Sequence, residues 1–165
     1  MPRLAADHAR RLLAAARVAR LATASPDGVP HLVPVTFALA GDTVYTAVDG
    51  KPKAARGAPR GVPRGDPRRV PGALRRLDNI RRNPAVALLA DHYDEDWAAL
   101  WWARADGQAS VIDDLALMAG PVRLLAGRYP QYAQVPLPGP VIAIRVTRWS
   151  GWAASPPGAA GSGRA

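Results

Sequence analysis

The chain contains no cysteine. That excludes disulfides, thiolate metal sites and cysteine nucleophiles, and it permits a reducing compartment. Lysine is almost as scarce: Lys51 and Lys53 are the only two, two positions apart, while every other basic side chain is an arginine. No apolar stretch approaches the roughly 18 residues that a membrane-spanning helix needs. The opening MPRLAADHARRLLAAARVARLA carries charge throughout and holds no uninterrupted apolar run, so it does not read as a secretory leader. Also missing are His-Glu-x-x-His, a phosphate-cradling Gly-Lys-Ser/Thr loop and any Ser-His-Asp sequence signature. The expectation is a soluble, cytoplasmic protein with no membrane partner.

What is present suffices for one folded domain. The chain has 165 residues, of which 48% are hydrophobic, enough to bury a core and too many for a disordered chain. Its formal net charge of +9 is local. The stretch from Lys51 to Asn83 holds 11 basic residues against Asp66 and Asp78, and the remainder is balanced. Such a segment attracts anions. It lacks interleaved aromatic residues, so no stacking platform for nucleic acid accompanies it, and no specific nucleic-acid partner is expected.

Along the chain, Leu4 to Arg17 reads as a short amphipathic helix. A strand from Val18 to Ala24 ends in Ser25-Pro-Asp-Gly28, a strong turn signal. His31 to Leu39 follows as one strand, placed at an edge or a bulge by Pro34, which has no ladder donor. After a turn at Gly41-Asp42, Thr43 to Val48 is a third, β-branched strand. Asp49 to Gly72 is Arg/Pro/Gly-rich and reads as a loop. Leu74 to Asn83 resumes helical spacing, Ala85 to Ala90 is strand-like, Asp91 to Asp96 is an acidic turn, and Trp97 to Ala109 adds one or two strands. Asp113-Asp114 should cap a helix from Leu115, which Gly120-Pro121 should break or kink. Pro140 to Trp149 is the clearest late strand. The domain is bounded at 1–153, with an insert at 54–73 and a disordered tail at 154–165. Short strands with turn signals and a few helices suggest an antiparallel barrel, mainly β.

Chemistry is sparsely signalled. The lysine pair directly after a strand can meet one phosphate or carboxylate group, and solvated loop lysines are an equal reading. Asp91, His92 and Asp94 could be pictured around a metal, but an acidic turn reads better as solvated, and no metal is expected. Trp97, Trp101 and Trp102 can stack on a flat ring or fill a seam. Adjacent in a strand, Trp101 and Trp102 must face opposite sides, so at most one lines a pocket.

Several runs together resemble the pyridoxamine 5′-phosphate oxidase-like superfamily: Arg20-Leu-Ala-Thr-Ala24, Asp27-Gly-Val-Pro-His-Leu-Val-Pro-Val35, Gly41-Asp-Thr-Val-Tyr-Thr-Ala-Val-Asp49 and Lys51-Pro-Lys53. Further blocks resemble its actinobacterial branch that uses the deazaflavin coenzyme F-420. These are Leu74-Arg-Arg-Leu-Asp-Asn-Ile80, Asn83-Pro84, Asp91-His-Tyr-Asp-Glu-Asp-Trp97, Leu100-Trp-Trp102, Arg128-Tyr-Pro-Gln-Tyr132 and Trp149-Ser-Gly-Trp152.

The resemblance implies a six-stranded antiparallel split β-barrel (FMN-binding split barrel), a homodimer, and a cofactor in the cleft between subunits. It puts the cofactor ring against Val33, Pro34, Val35, Ala47 and Val48. It puts the phosphate and acidic tail on Lys51, Lys53 and Arg56, with Asn79 and Trp102 as further contacts. The cofactor carries the chemistry, passing hydride to an electron-poor small molecule, so no catalytic residue is named. His31 and Tyr45 are the candidates for giving a proton. FMN is the alternative cofactor, and a cofactor carrier without turnover is the alternative role. Roughly fifteen extra residues within Ala54 to Ala73 depart from the resembling pattern, at little cost in folding.

Overall fold

The computed structural model describes residues 3–48, 74–135 and 137–155. Helix α1 (Ala6–Ala15) leads into two hairpins, β1 (Ala19–Ala24) with β2 (Pro30–Val35) and β3 (Ala38–Ala40) with β4 (Thr43–Ala47). Helix α2 (Arg75–Arg82), β5 (Ala85–His92), β6 (Trp101–Ile112), helix α3 (Leu115–Arg128) and β7 (Val141–Ala153) complete the described elements. The β1–β2 turn forms as its sequence demands. Gly28 adopts φ +81°, a left-handed conformation that suits glycine, and its N–H donates to the Ser25 carbonyl at 2.8 Å.

All seven strands join one antiparallel sheet in the order β2-β1-β5-β6-β7-β4-β3. The two edge strands, β2 and β3, are consecutive in the chain, with only Thr36 and Phe37 between them. Three Cα–Cα steps span at most about 11 Å, so the sheet must curl until its edges meet. This is the expected split barrel, with one difference. The strand expected from His31 to Leu39 is two strands, the first laddered to β1 and the second to β4. The strand count becomes seven because the chain changes partners at Thr36-Phe37. Pro34 lies on edge strand β2, where no ladder donor is needed.

The barrel interior is filled by Leu21, Phe37, Val44, Leu88, Ile142 and Ile144, all fully buried. Helix α1 packs on β6 and β7 through Ala9 and Leu13. Its approach is close enough that a Cβ at Gly151 would lie 2.8 Å from the Trp102 carbonyl and 3.1 Å from the Ala9 Cβ. Trp101 packs against this core. Its neighbour Trp102 stands on the opposite face of β6, across from Trp152.

Helix α3 is capped by Asp114, whose carboxylate accepts from the N–H groups of Ala116 and Leu117 at 2.8 and 3.2 Å. Asp113 pairs instead with Arg81 at 3.1 Å. Of the break or kink expected at Gly120-Pro121 no break occurs, since α3 runs through Pro121. The carbonyl that loses its partner to the proline belongs to Leu117, which is 66% exposed, so water can replace the missing bond. Among the described residues, no helix is long and apolar enough to cross a membrane.

Candidate functional site

The place where the sheet edges meet needs its own hydrogen bonding. Phe37 lies between β2 and β3, outside both ladders, and is fully buried. Its N–H and C=O must find side-chain partners, and Tyr129 serves both. The Tyr129 hydroxyl accepts from the Phe37 N–H at 3.1 Å and donates to the Phe37 carbonyl at 2.8 Å or the Arg17 carbonyl at 3.0 Å. It also accepts from Arg128 Nε at 3.1 Å. Arg128 Nη2 donates to the carbonyls of Ala14 and Ala16, both at 2.6 Å, tying the end of α1 to the same knot. Arg17 closes it: its guanidinium lies 4.5 Å from the Tyr129 ring centroid and donates to the Arg128 carbonyl at 2.9 Å.

Against this knot opens a cavity of about 510 Å³, within the range of small-molecule sites. Its apolar wall is Val18, Pro34, Val35, Ala47 and Val135. Its polar lining residues are Thr36, Thr46, Tyr129, Gln131 and Tyr132. The Thr36 and Tyr132 hydroxyls are hydrogen-bonded to each other, and Tyr132 meets Tyr129 edge-on with ring centroids 5.8 Å apart. Arg17 and Arg76 line the same space, and no Asp or Glu does among the described residues. The site is thus apolar on its walls and cationic at its rim, suited to a flat ring carrying an anionic chain.

Of the residues expected at a cofactor, Pro34, Val35 and Ala47 line this cavity. Val33 and Val48 pack against the core instead. Asn79 is 2% exposed and donates from Nδ2 to the Thr23 hydroxyl at 3.0 Å, within the protein. Trp102 lies on the outer face of the β6–β7 ladder. Lys51, Lys53 and Arg56, with the whole 54–73 insert, lie outside the described residues. Tyr45 borders a separate hollow with Ala40 and Arg123. His31 does not line the cavity, and its Nδ1 is buried without a partner among the described residues. Burial holds its pKa below the ordinary imidazole value, and Arg75 and Arg76 push the same way. Asp91, pictured beside His92, bonds to Arg20 at 2.8 Å.

Sequence reasoning missed Arg17, Arg76, Thr36 and Tyr132 as lining residues. The Arg128-Tyr-Pro-Gln-Tyr132 block was the available signal, since two tyrosines flanking a proline after a helix are well placed to present hydroxyls.

A family model described as pyridoxamine 5′-phosphate oxidase matches residues 5–67. No curated protein matches the chain in sequence. Among solved structures, a conserved hypothetical protein from Mycobacterium tuberculosis is 18% identical, with a TM-score of 0.65, covering 92% of this chain and 86% of its own. A FAD-binding protein from Mesorhizobium loti is 19% identical, with a TM-score of 0.63 over 91% of this chain and 95% of that one. A FAD-binding protein from Mycobacterium smegmatis is 18% identical, with a TM-score of 0.56 over 92% and 98%. Together with the curled seven-stranded sheet, these likenesses give the chain the split-barrel fold of the pyridoxamine 5′-phosphate oxidase type.

Proposed function

We propose that this chain is a cytoplasmic oxidoreductase that binds the deazaflavin coenzyme F-420 in the cavity at the barrel seam. The reading adds hydride transfer to an electron-poor small molecule. The observation that carries it is the cavity itself: about 510 Å³, apolar at Pro34, Val35 and Ala47, cationic at Arg17 and Arg76, with no lining carboxylate among the described residues. Those walls fit a flat ring and that rim fits its anionic chain. The likeness to FAD-binding proteins supports a flavin-type ligand. The basic sequence from Lys51 onward favours the version with an acidic tail, and FMN is the alternative.

In this reading Pro34, Val35 and Ala47 hold the ring, while Lys51, Lys53 and Arg56 hold the phosphate and tail. A reduced cofactor of this class supplies a hydride as one two-electron step. The protein positions the partners and excludes water. The hydrogen-bonded Thr36 and Tyr132 hydroxyls hold a proton inside the cavity. A second copy of the chain belongs to the proposal. The outer sheet face carries Leu32, which is 64% exposed, and buries Ser150 Oγ and Trp152 Nε1 without partners among the described residues.

Titration of the purified chain with F-420 and with FMN, read by fluorescence quenching, tests the reading. F-420 should bind at least about tenfold tighter than FMN, and K51A/K53A should weaken it by about tenfold or more. Tighter FMN binding would move the chain to the FMN alternative. Binding of neither cofactor sinks the proposal. F-420 binding without reduction of any quinone, nitro compound or enone leaves a carrier.

A further inference from the structure

Helix α3 differs from the other two helices on its solvent side. Helix α1 exposes Asp7 and Arg11, and α2 exposes Arg75, Arg81 and Arg82. On α3, all of which is described, Arg123 alone is charged among the exposed residues. Leu117 and Leu124 stand 66% and 43% exposed. They lie about two turns apart with Gly120 and Pro121 between them, so the four share one stripe. Beside that stripe a hollow of about 420 Å³ separates α3 from the β3–β4 hairpin, bordered by Ala40, Tyr45, Pro121 and Leu124. Single exposed leucines are ordinary, whereas an uncharged stripe flanking a hollow marks a contact surface. The two longer stretches outside the described residues, 49–73 and 156–165, hold no leucine, isoleucine, methionine or aromatic residue, and Val62 and Val70 are their largest apolar side chains. Their arginine, proline and glycine composition is poorly matched to such a stripe.

We propose that this stripe packs against the same stripe of a second copy of the chain, antiparallel, about a two-fold axis at Gly120-Pro121. The stripe is self-complementary, as a two-fold contact requires. With the axis between Gly120 and Pro121, Leu117 of each copy meets Leu124 of the other and enters the hollow that Leu124 borders. Gly120 has no Cβ, and one built there would meet nothing within 4 Å, so the two helices can approach closely at the axis. Charge selects the antiparallel alignment. A parallel one would set Arg123 beside Arg123, whereas the antiparallel one turns the half carrying Arg123 toward the other copy's Asp113 and Asp114, which precede the helix. The helix dipoles then also oppose each other. Helix α3 lies over β3 and β4, so this contact is separate from the outer sheet face of the β6–β7 ladder and does not rest on the cofactor reading.

The test uses the full chain, which has no cysteine of its own. Gly120→Cys places one thiol at the axis, and mild oxidation should join two copies into a covalent dimer on a non-reducing gel. Ala126→Cys, exposed on the other side of α3, measures random collision and should join at least about tenfold more slowly, because only the axial thiols are held together. Sedimentation equilibrium supplies the second readout. Leu117→Glu/Leu124→Glu should halve the mass of the wild-type assembly, and thermal unfolding verifies that the variant is folded, as two exposed positions allow. If the outer sheet face also pairs, the variant falls from four copies to two; if it does not, from two to one, so the two contacts are told apart. The proposal is overturned if the mass is unchanged in the glutamate variant, or if Gly120→Cys joins no faster than Ala126→Cys. Binding to phosphatidylcholine vesicles that the glutamate variant loses, with its mass unchanged, would also overturn it and give the stripe to a lipid surface.

Discussion

The two ends of the β1–β2 hairpin are built by different means. At the turn end the chain closes on itself: Gly28 N–H donates to Ser25, Val29 N–H donates to Ser25 Oγ, and β2 folds back on β1. At the seam end the chain leaves one ladder at Val35 and enters another at Ala38. The residues between have no strand partners. There the structure brings Tyr129 from 92 residues away to bond Phe37, and Arg128 from 112 and 114 residues away to bond the end of α1. The difference is one of backbone accounting. A hairpin satisfies its own polar groups, whereas a barrel seam must be given partners by side chains. The same long-range side chains that satisfy the seam also build the wall of the cavity, so stability and binding are linked at this end.

The sharpest way to break the comparison is to remove one oxygen. Tyr129→Phe keeps the ring and Arg17's stacking but leaves the buried N–H and C=O of Phe37 without partners. We expect a loss of about 2–4 kcal/mol in urea unfolding, with the m-value unchanged. Tyr132→Phe, which loses only a half-buried hydroxyl pair with Thr36, should cost less than about 1 kcal/mol. Equal costs for the two variants would show that Tyr129 does not carry the seam.

A smaller effect belongs to the turn end. Near it Asn79 Nδ2 donates to Thr23 Oγ1 at 3.0 Å, a long-range bond between two buried residues. Asn79→Ala should cost about 1–3 kcal/mol through loss of that bond and the cavity left behind. Thr23→Val strands the amide and should cost about as much. The double variant should cost about 1 kcal/mol less than the two together, because each single change orphans the other's partner. Strict additivity in the cycle would mean that the pair does not act as a unit.

The contrast also explains what the sequence made readable. Local chemistry was legible: the Ser25–Gly28 turn, the β-branched run of β4 and the Asp114 cap. Their signals lie within a few neighbouring positions. The division of His31–Leu39 into β2 and β3 was not legible, because apolar residues continue across Thr36-Phe37 and only tertiary pairing separates the strands. Tyr129 and Arg17 were invisible as a unit for the same reason: 112 positions separate them. That α3 continues through Pro121 was not legible, because proline's cost depends on whether Leu117 faces water, a property of the fold.

The smallest effect expected is in pH, and it too belongs to the turn end. Burial lowers the pKa of His31, and the charges of Arg75 and Arg76 lower it further. In the unfolded chain the imidazole titrates near about 6.5. Between that value and the lower folded one, the unfolded state binds more protons, so stability rises with pH. The contribution of neutral His31 is fully present above the unfolded value. It is lost as pH falls through that value toward the folded one, and below the folded pKa the slope vanishes. His31→Gln should therefore flatten the stability profile measured between about pH 5 and 7 and leave it unchanged near pH 8. Repeating the measurement with Arg76→Gln should reduce this acid-side loss less than removal of the histidine does, because burial is the larger cause. A profile identical to wild type in His31→Gln would assign the acid sensitivity to the carboxylates rather than to this histidine.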